Sequence, residues 1–195
     1  FVLGSFSNAP KSIGFQVWTL REQLFEDFAG TLKKMAKLGY KEVEMCSPLG
    51  YTGTFDKFNK YSGTELKKMI EDQGLQCTSS HYNLSELRDG YGKTIEWTHQ
   101  MGIKQMPLAA FWLPKDASVD DYRKSCEELN KIAEKVKPEG IQMAFHNHHM
   151  EFEKRGDELI YDEMLKVLDP DLVKMQFQVA VADIGYKAAD YFRKY

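Results

Sequence analysis

The chain has 195 residues, 43% hydrophobic and 28% charged, with a formal net charge of −3. This is ordinary for a globular protein and long enough for one full-sized core or most of one larger domain. The slight acidity leaves no bulk footprint for nucleic acid, and no apolar run approaches the roughly 20 residues that span a bilayer.

Phe1 rather than Met opens the chain, and Tyr195 closes it inside a helical pattern, so both ends are expected to be cut. FVLGSFSNAP fits either the remnant of a removed signal peptide or a trimmed end, which leaves cytoplasmic and exported locations both open. Cys46, Cys77 and Cys126 are scattered without zinc-like spacing, so buried reduced thiols are expected.

Ile13 to Leu20 is apolar and β-branched enough for a first strand. Phe25, Phe28, Leu32, Met35, Ala36 and Leu38 then recur at helical spacing until Gly39. Lys41 to Met45 predicts a second strand. The loop of about 16 residues from Cys46 to Gly63 carries Tyr51, Phe55, Phe58 and Tyr61, and connections this long are usually functional. Thr64 is expected to cap a helix through Gln73, followed by a third strand, Leu75 to Ser80. A helix from about Gly90 to Met101 precedes a fourth strand, Ile103 to Ala110. Ser118 or Asp120 starts a long helix through Val136, and Ile141 to Phe145 is a fifth strand. A helix from about Leu159 to Leu168, a sixth strand from Val173 to Val179 and a last helix near Tyr186 complete the order.

Strands alternating with helices in this way imply βαβ units and a parallel sheet. A doubly wound open sheet and an eight-fold barrel both fit, but no glycine-rich nucleotide fingerprint follows the first strand. Polar residues instead stand near most strand ends: Gln16 and Trp18, Glu44, His81, His146 and His148, and Gln178. That distribution predicts an α/β fold of the (β/α)8 TIM-barrel type, whose site is assembled from all the strand ends. About six βα units are present, in a single domain over residues 1–195 that is expected to be incomplete at its C-terminal end.

The densest chemistry lies in IQMAFHNHHMEFE, residues 141–153. Alternation along a strand points His146 and His148 to one side, with Asn147 and His149 opposite. Glu151 is near enough for a short loop to turn its carboxylate back over the mouth. Imidazole and carboxylate together suit a transition metal or proton transfer near neutral pH; capping of the mouth by hydrogen bonds is the plainer alternative. Glu44 either contacts substrate or is neutralised inside the barrel. Trp18, Phe111 and Trp112 are candidates for stacking on a sugar ring or for simple packing at the rim. His99 falls in a helix and is expected to be structural.

With these residues in view, the chain resembles the sugar phosphate isomerase/epimerase family, the xylose-isomerase-like TIM barrels. The resemblance runs from Ile13-Gly14 through Tyr40-Lys41-Glu42-Val43-Glu44 to Phe192-Arg193-Lys194-Tyr195. Its most specific part is Phe145-His146-Asn147-His148 with Glu151-Phe152, then Tyr161-Asp162 and Asp169-Pro170-Asp171-Leu172-Val173. The resemblance implies isomerase or epimerase chemistry on a small carbohydrate, assisted by one divalent metal such as manganese, zinc or magnesium. Carried over, His146 and Gln178 fall at metal-ligand positions, and Glu151 and His148 at catalytic ones; an alternative register makes Glu151 the ligand. Trp18, Glu44, His81, Trp112 and Asn147 become the candidate substrate contacts. Gln178 departs from the acidic residue of the relatives, and its neutral oxygen binds divalent cations more weakly. A metal-free carbohydrate-binding barrel is therefore the alternative. A homo-oligomer fits the resemblance, whereas DNA repair on the same fold is disfavoured by the acidic balance.

Overall fold

Six short strands make the sheet: β1 (Gly14–Gln16), β2 (Glu42–Cys46), β3 (Gln76–His81), β4 (Gln105–Leu108), β5 (Gln142–His146) and, after a small antiparallel hairpin of β6 (Lys154–Arg155) and β7 (Glu158–Leu159), β8 (Val173–Gln176). This computed structural model describes residues 12–194, so the leader-remnant reading of residues 1–10 falls outside the described residues. The strands pair in parallel in the order β1-β2-β3-β4-β5-β8. Helices return the chain between them: α1 (Arg21–Glu26), α2 (Phe28–Lys37), α3 (Gly63–Glu71), α4 (Leu84–Asp89), α5 (Tyr91–Met101), α6 (Val119–Val136), α7 (Ile160–Val167) and α8 (Ala188–Lys194).

The sheet curls. β2 and β8 are not neighbours in it, yet the Gln176 amide donates to Glu44 at 2.7 Å across the interior. Six in-order parallel strands bent this far form part of the expected barrel. The helices' apolar stripes, with Leu32, Leu66, Ile70, Met101, Leu129 and Val136 fully buried, cover its outer face. Each such side chain contributes about 1.5–3 kcal/mol by leaving water. Gly102, at φ 74°, lets α5 end in a left-handed turn and feed β4 directly.

Several boundaries differ from the pattern reading, each for a local reason. β1 stops at Gln16, whose side chain accepts from the Trp18 amide and starts a 3-10 turn over Val17–Leu20. One long helix becomes α1 and α2, because the Asp27 side chain accepts from the Gly30 amide and begins a new helix. Ser62, not Thr64, caps α3, in a reciprocal box with Glu65. β8 ends two residues before Gln178. All three cysteines are free and buried, as expected. Among the described residues no helix is long and apolar enough to cross a membrane.

Candidate functional site

Parallel register sets the floor of the site. Gln16 pairs with Glu44 and Glu44 with Ser79, while Cys46 pairs with His81 and His146 with Gln176. Polar strand-end residues thus collect at the C-terminal end of the sheet, where they line a cleft of about 450 Å³. That volume suits a small molecule.

Glu44 is the hub. One carboxylate oxygen accepts from Ser79 Oγ at 2.5 Å and Gln176 Nε2 at 2.7 Å; the other lies 2.9 Å from His81 Nε2. His81 Nε2 is also 2.8 Å from Gln176 Oε1. Both neighbours of Nε2 are acceptors, so Nε2 carries the proton and donates to them. The Glu44 carboxylate needs donors, which fixes the Gln176 amide with its nitrogen toward Glu44 and its oxygen toward His81. Burial by itself raises the Glu44 carboxyl. The hydrogen bond and charge of His81, with Ser79 and Gln176, outweigh burial and hold it below the ordinary value.

His146 and His148 project to the same side, as alternation predicts, although the strand itself ends at His146. Their ring centroids are 5.0 Å apart, and His146 lies 4.8 Å from His81. Burial, followed by the charges of His81 and His148, pushes His146 down to about 4; burial and the charges of His81 and His149 do the same to His148. Both rings are therefore neutral at pH 7. Among the described residues the buried Nδ1 atoms of both lack a hydrogen-bond partner, as does the buried Tyr51 hydroxyl in the wall of the same cleft.

Two tryptophans form the rim. Trp18 is 43% exposed and packs on Tyr51 and Phe55, with the Arg21 guanidinium 5.2 Å from its ring centre. Trp112 is 58% exposed and lies 5.5 Å from the His148 ring. Its backbone is left-handed, φ 53°, in a chain segment where Ala110 also has positive φ, 147°. A bulky side chain held there costs roughly 1–2 kcal/mol, a strain typical of functional loops.

The structure separates the residues singled out from the sequence. Trp18, Glu44, His81, Trp112, His146, His148 and Gln178 line the cleft; Asn147 and Glu151 do not. Asn147 is fully buried behind the strand end, where its Oδ1 accepts from the Gln178 amide at 3.0 Å. Glu151 does not turn back over the mouth. It is fully buried beneath its own loop, accepts from the His148 amide at 2.7 Å, and is pushed by burial up to about 7. Phe111 packs on Phe145 in the core, and His99 bonds Glu139 on a helix, remote in role from the cleft. Gln176 and Tyr51 line the cleft without having been singled out. Gln176 shares the alternation of Gln178 and was legible from it, whereas Tyr51 was one aromatic among several in a long loop.

Among the described residues the donor set for a divalent cation is incomplete. Glu44 is already held by three donors, and Glu151 is sequestered. Among the described residues no group of three His, Cys, Asp or Glu side chains converges to hold a metal ion. The Nδ1 atoms of His146 and His148 and the Oε1 of Glu151 are buried without a partner among the described residues.

A sugar phosphate isomerase/epimerase from Parabacteroides distasonis ATCC 8503 superposes on 98% of this chain and 73% of its own, with TM-score 0.75 and 26% sequence identity. An AP endonuclease of family 2 from Brucella melitensis matches 95% of this chain and 75% of its own at TM-score 0.62 and 12% identity. An L-ribulose 3-epimerase matches 90% and 63% at TM-score 0.62 and 14% identity. At these last two identities the likeness is one of fold. No curated protein matches the chain. The family model for the xylose isomerase-like TIM barrel matches residues 32–187, and the chain belongs to that family.

Proposed function

We propose that the cleft binds a small carbohydrate and moves a proton between adjacent carbons, the chemistry of a sugar isomerase or epimerase. The observation that carries this reading is the Glu44–His81–Gln176 cluster on the floor of a cleft flanked by Trp18 and Trp112. The aromatic faces take the C–H face of a sugar ring or chain. Glu44 and Gln176 fix the orientation and tautomer of His81, leaving the imidazole as the candidate proton carrier. His146 and His148, neutral near pH 7, serve as hydrogen-bond partners for hydroxyl or carbonyl oxygens. Glu151 is a positioning residue, because its carboxylate holds the backbone amide of His148.

A second reading, a metal-free carbohydrate-binding barrel without turnover, is favoured by Gln178, a neutral side chain on the cleft wall. Incubation of the intact protein with a panel of aldoses, ketoses and inositols, with and without manganese, magnesium or zinc, separates the two. Interconversion of any member supports the isomerase reading. Saturable binding with no interconversion under every metal condition favours the second.

A further inference from the structure

Glu86, on α4, is a buried acid that the proposed chemistry does not use. It stands outside the cleft and borders a separate groove of about 430 Å³ with Gly50, Asp89 and Lys93. Its two oxygens nonetheless join the strand ends that carry the floor of the cleft. Oε2 lies 2.6 Å from Ser47 Oγ, just past β2, and Oε1 accepts from the Asn83 amide at 2.7 Å, just past β3. Asn83 donates in turn from Nδ2 to the Gly50 carbonyl at 2.7 Å. The amides of Gly50 and Tyr51 donate to the Ser47 carbonyl at 3.3 Å and 3.1 Å, which closes the turn from Ser47 to Tyr51 around Glu86. The fit is close, because a Cβ on Gly50 would stand 2.1 Å from Glu86 Oε1. From this turn the Tyr51 ring enters the cleft wall, where it packs edge-on against Trp18. The Ser47 amide also donates to the His81 carbonyl at 2.8 Å, so the turn is bonded to the strand end that presents His81.

We propose that Glu86 is a positioning residue for the cleft, setting the Tyr51 ring and the strand ends that present Glu44 and His81 through the Ser47–Tyr51 turn. What those residues bind rests on the carbohydrate reading; the hold of Glu86 on the turn does not. That hold depends on charge. Neutral or ionised, the carboxyl can bond both Ser47 and Asn83, but only the neutral form does so without placing a charge among buried groups. The titratable groups around it are Cys46 on β2, Tyr51 on the turn and Tyr82 after β3, with Asp89 on α4 and Lys93 on α5 along the groove. Cys46, Tyr51 and Tyr82 are never cationic, so none of these three offsets a charge on Glu86. Burial accordingly pushes its carboxyl up to about 7. Above that pH the carboxylate gains by turning toward the groove, where it meets solvent and Lys93, and it gives up Ser47. Below that pH the turn is held.

The test is a pH titration of the intact protein, carrying isotope-labelled tyrosine, followed by NMR of the tyrosine rings. The Tyr51 signal, assigned by its loss in Tyr51→Phe, should move with a midpoint near pH 7 in the parent. In Glu86→Gln, which keeps both bonds without ionising, it should stay at the parent's low-pH position throughout. In Glu86→Ala it should be displaced at every pH. The same titration step in Glu86→Gln would overturn the proposal, since another group would then be moving Tyr51. An undisplaced signal in Glu86→Ala would overturn it too. Sugar titration supplies the second readout. Relative to Glu86→Gln, the parent should lose affinity about threefold to tenfold from about pH 6 to about pH 8. Parallel affinity profiles would overturn the positioning role and leave the carbohydrate reading standing. Binding of no sugar by the parent at any pH would overturn the carbohydrate reading, and the Tyr51 titration then decides the role of Glu86 by itself.

Discussion

At the scale of single residues, the site rests on side chains whose surroundings set their protonation and pose. Glu44 is half-buried and held below its ordinary value by His81, Ser79 and Gln176, whereas Glu151 is buried with only backbone donors and is pushed up to about 7. Two carboxylates near one strand-end cluster thus have separate surroundings, one lining the cleft and one holding the loop. Trp112 tests the cost of the rim. Trp112→Gly removes a bulky residue from a left-handed position, where glycine is unstrained, and gives up little burial. Its thermal stability should stay level or rise, while sugar affinity falls about tenfold, the loss of one stacking contact. A variant that binds sugar normally would assign Trp112 to the surface rather than to the site.

At the scale of elements, the loop between β2 and α3 is held by aromatic packing and by one buried acid. Phe55 is fully buried and contacts Trp18, Phe25, Tyr51 and Phe58, with ring centroids 5.6–6.4 Å apart. Phe55→Ala should cost about 3–5 kcal/mol in urea denaturation, and a loss under 1 kcal/mol would mean that the loop does not depend on this cluster. The same loop is tied to α4 through Glu86, which accepts from Ser47 Oγ at 2.6 Å and from the Asn83 amide at 2.7 Å. Burial pushes its carboxyl up to about 7 despite those bonds. A raised folded value means that the native state binds the extra proton between the ordinary value near 4.5 and about 7. Stability from this group is therefore full below that window and lost as pH rises through it. Glu86→Gln keeps both bonds with its oxygen on Asn83 and its nitrogen on Ser47, and it does not ionise. Its melting temperature relative to the parent should climb between pH 5 and pH 8. Parallel profiles across that range would show that Glu86 does not titrate there.

At the scale of the whole molecule, the alternation of strand and helix and the polar strand ends made the barrel legible in the sequence, along with most of the cleft. Trp18, Glu44, His81, Trp112, His146, His148 and Gln178 follow from which residues end strands, and strand ends are what a barrel gathers. Contacts between distant strands were not legible. Gln176 reaches Glu44 only because the sheet curls far enough to bring β2 and β8 together. The burial of Asn147 and Glu151 depends on how the loop after β5 folds over itself, which periodicity does not encode. Capping choices such as Ser62 over Thr64, and the break at Asp27, turned on single hydrogen bonds between residues equally able to make them. The central claim, that the cleft moves a proton on a bound sugar, has a direct test in proton NMR of the sugar panel incubated with the intact protein in deuterium oxide. The account predicts that a bound sugar gains deuterium at the carbon beside its carbonyl, in an exchange that His81→Ala abolishes while Glu44→Gln slows it at least about tenfold. A sugar that binds in the cleft and keeps every carbon-bound proton, with the parent protein under all conditions, would contradict it.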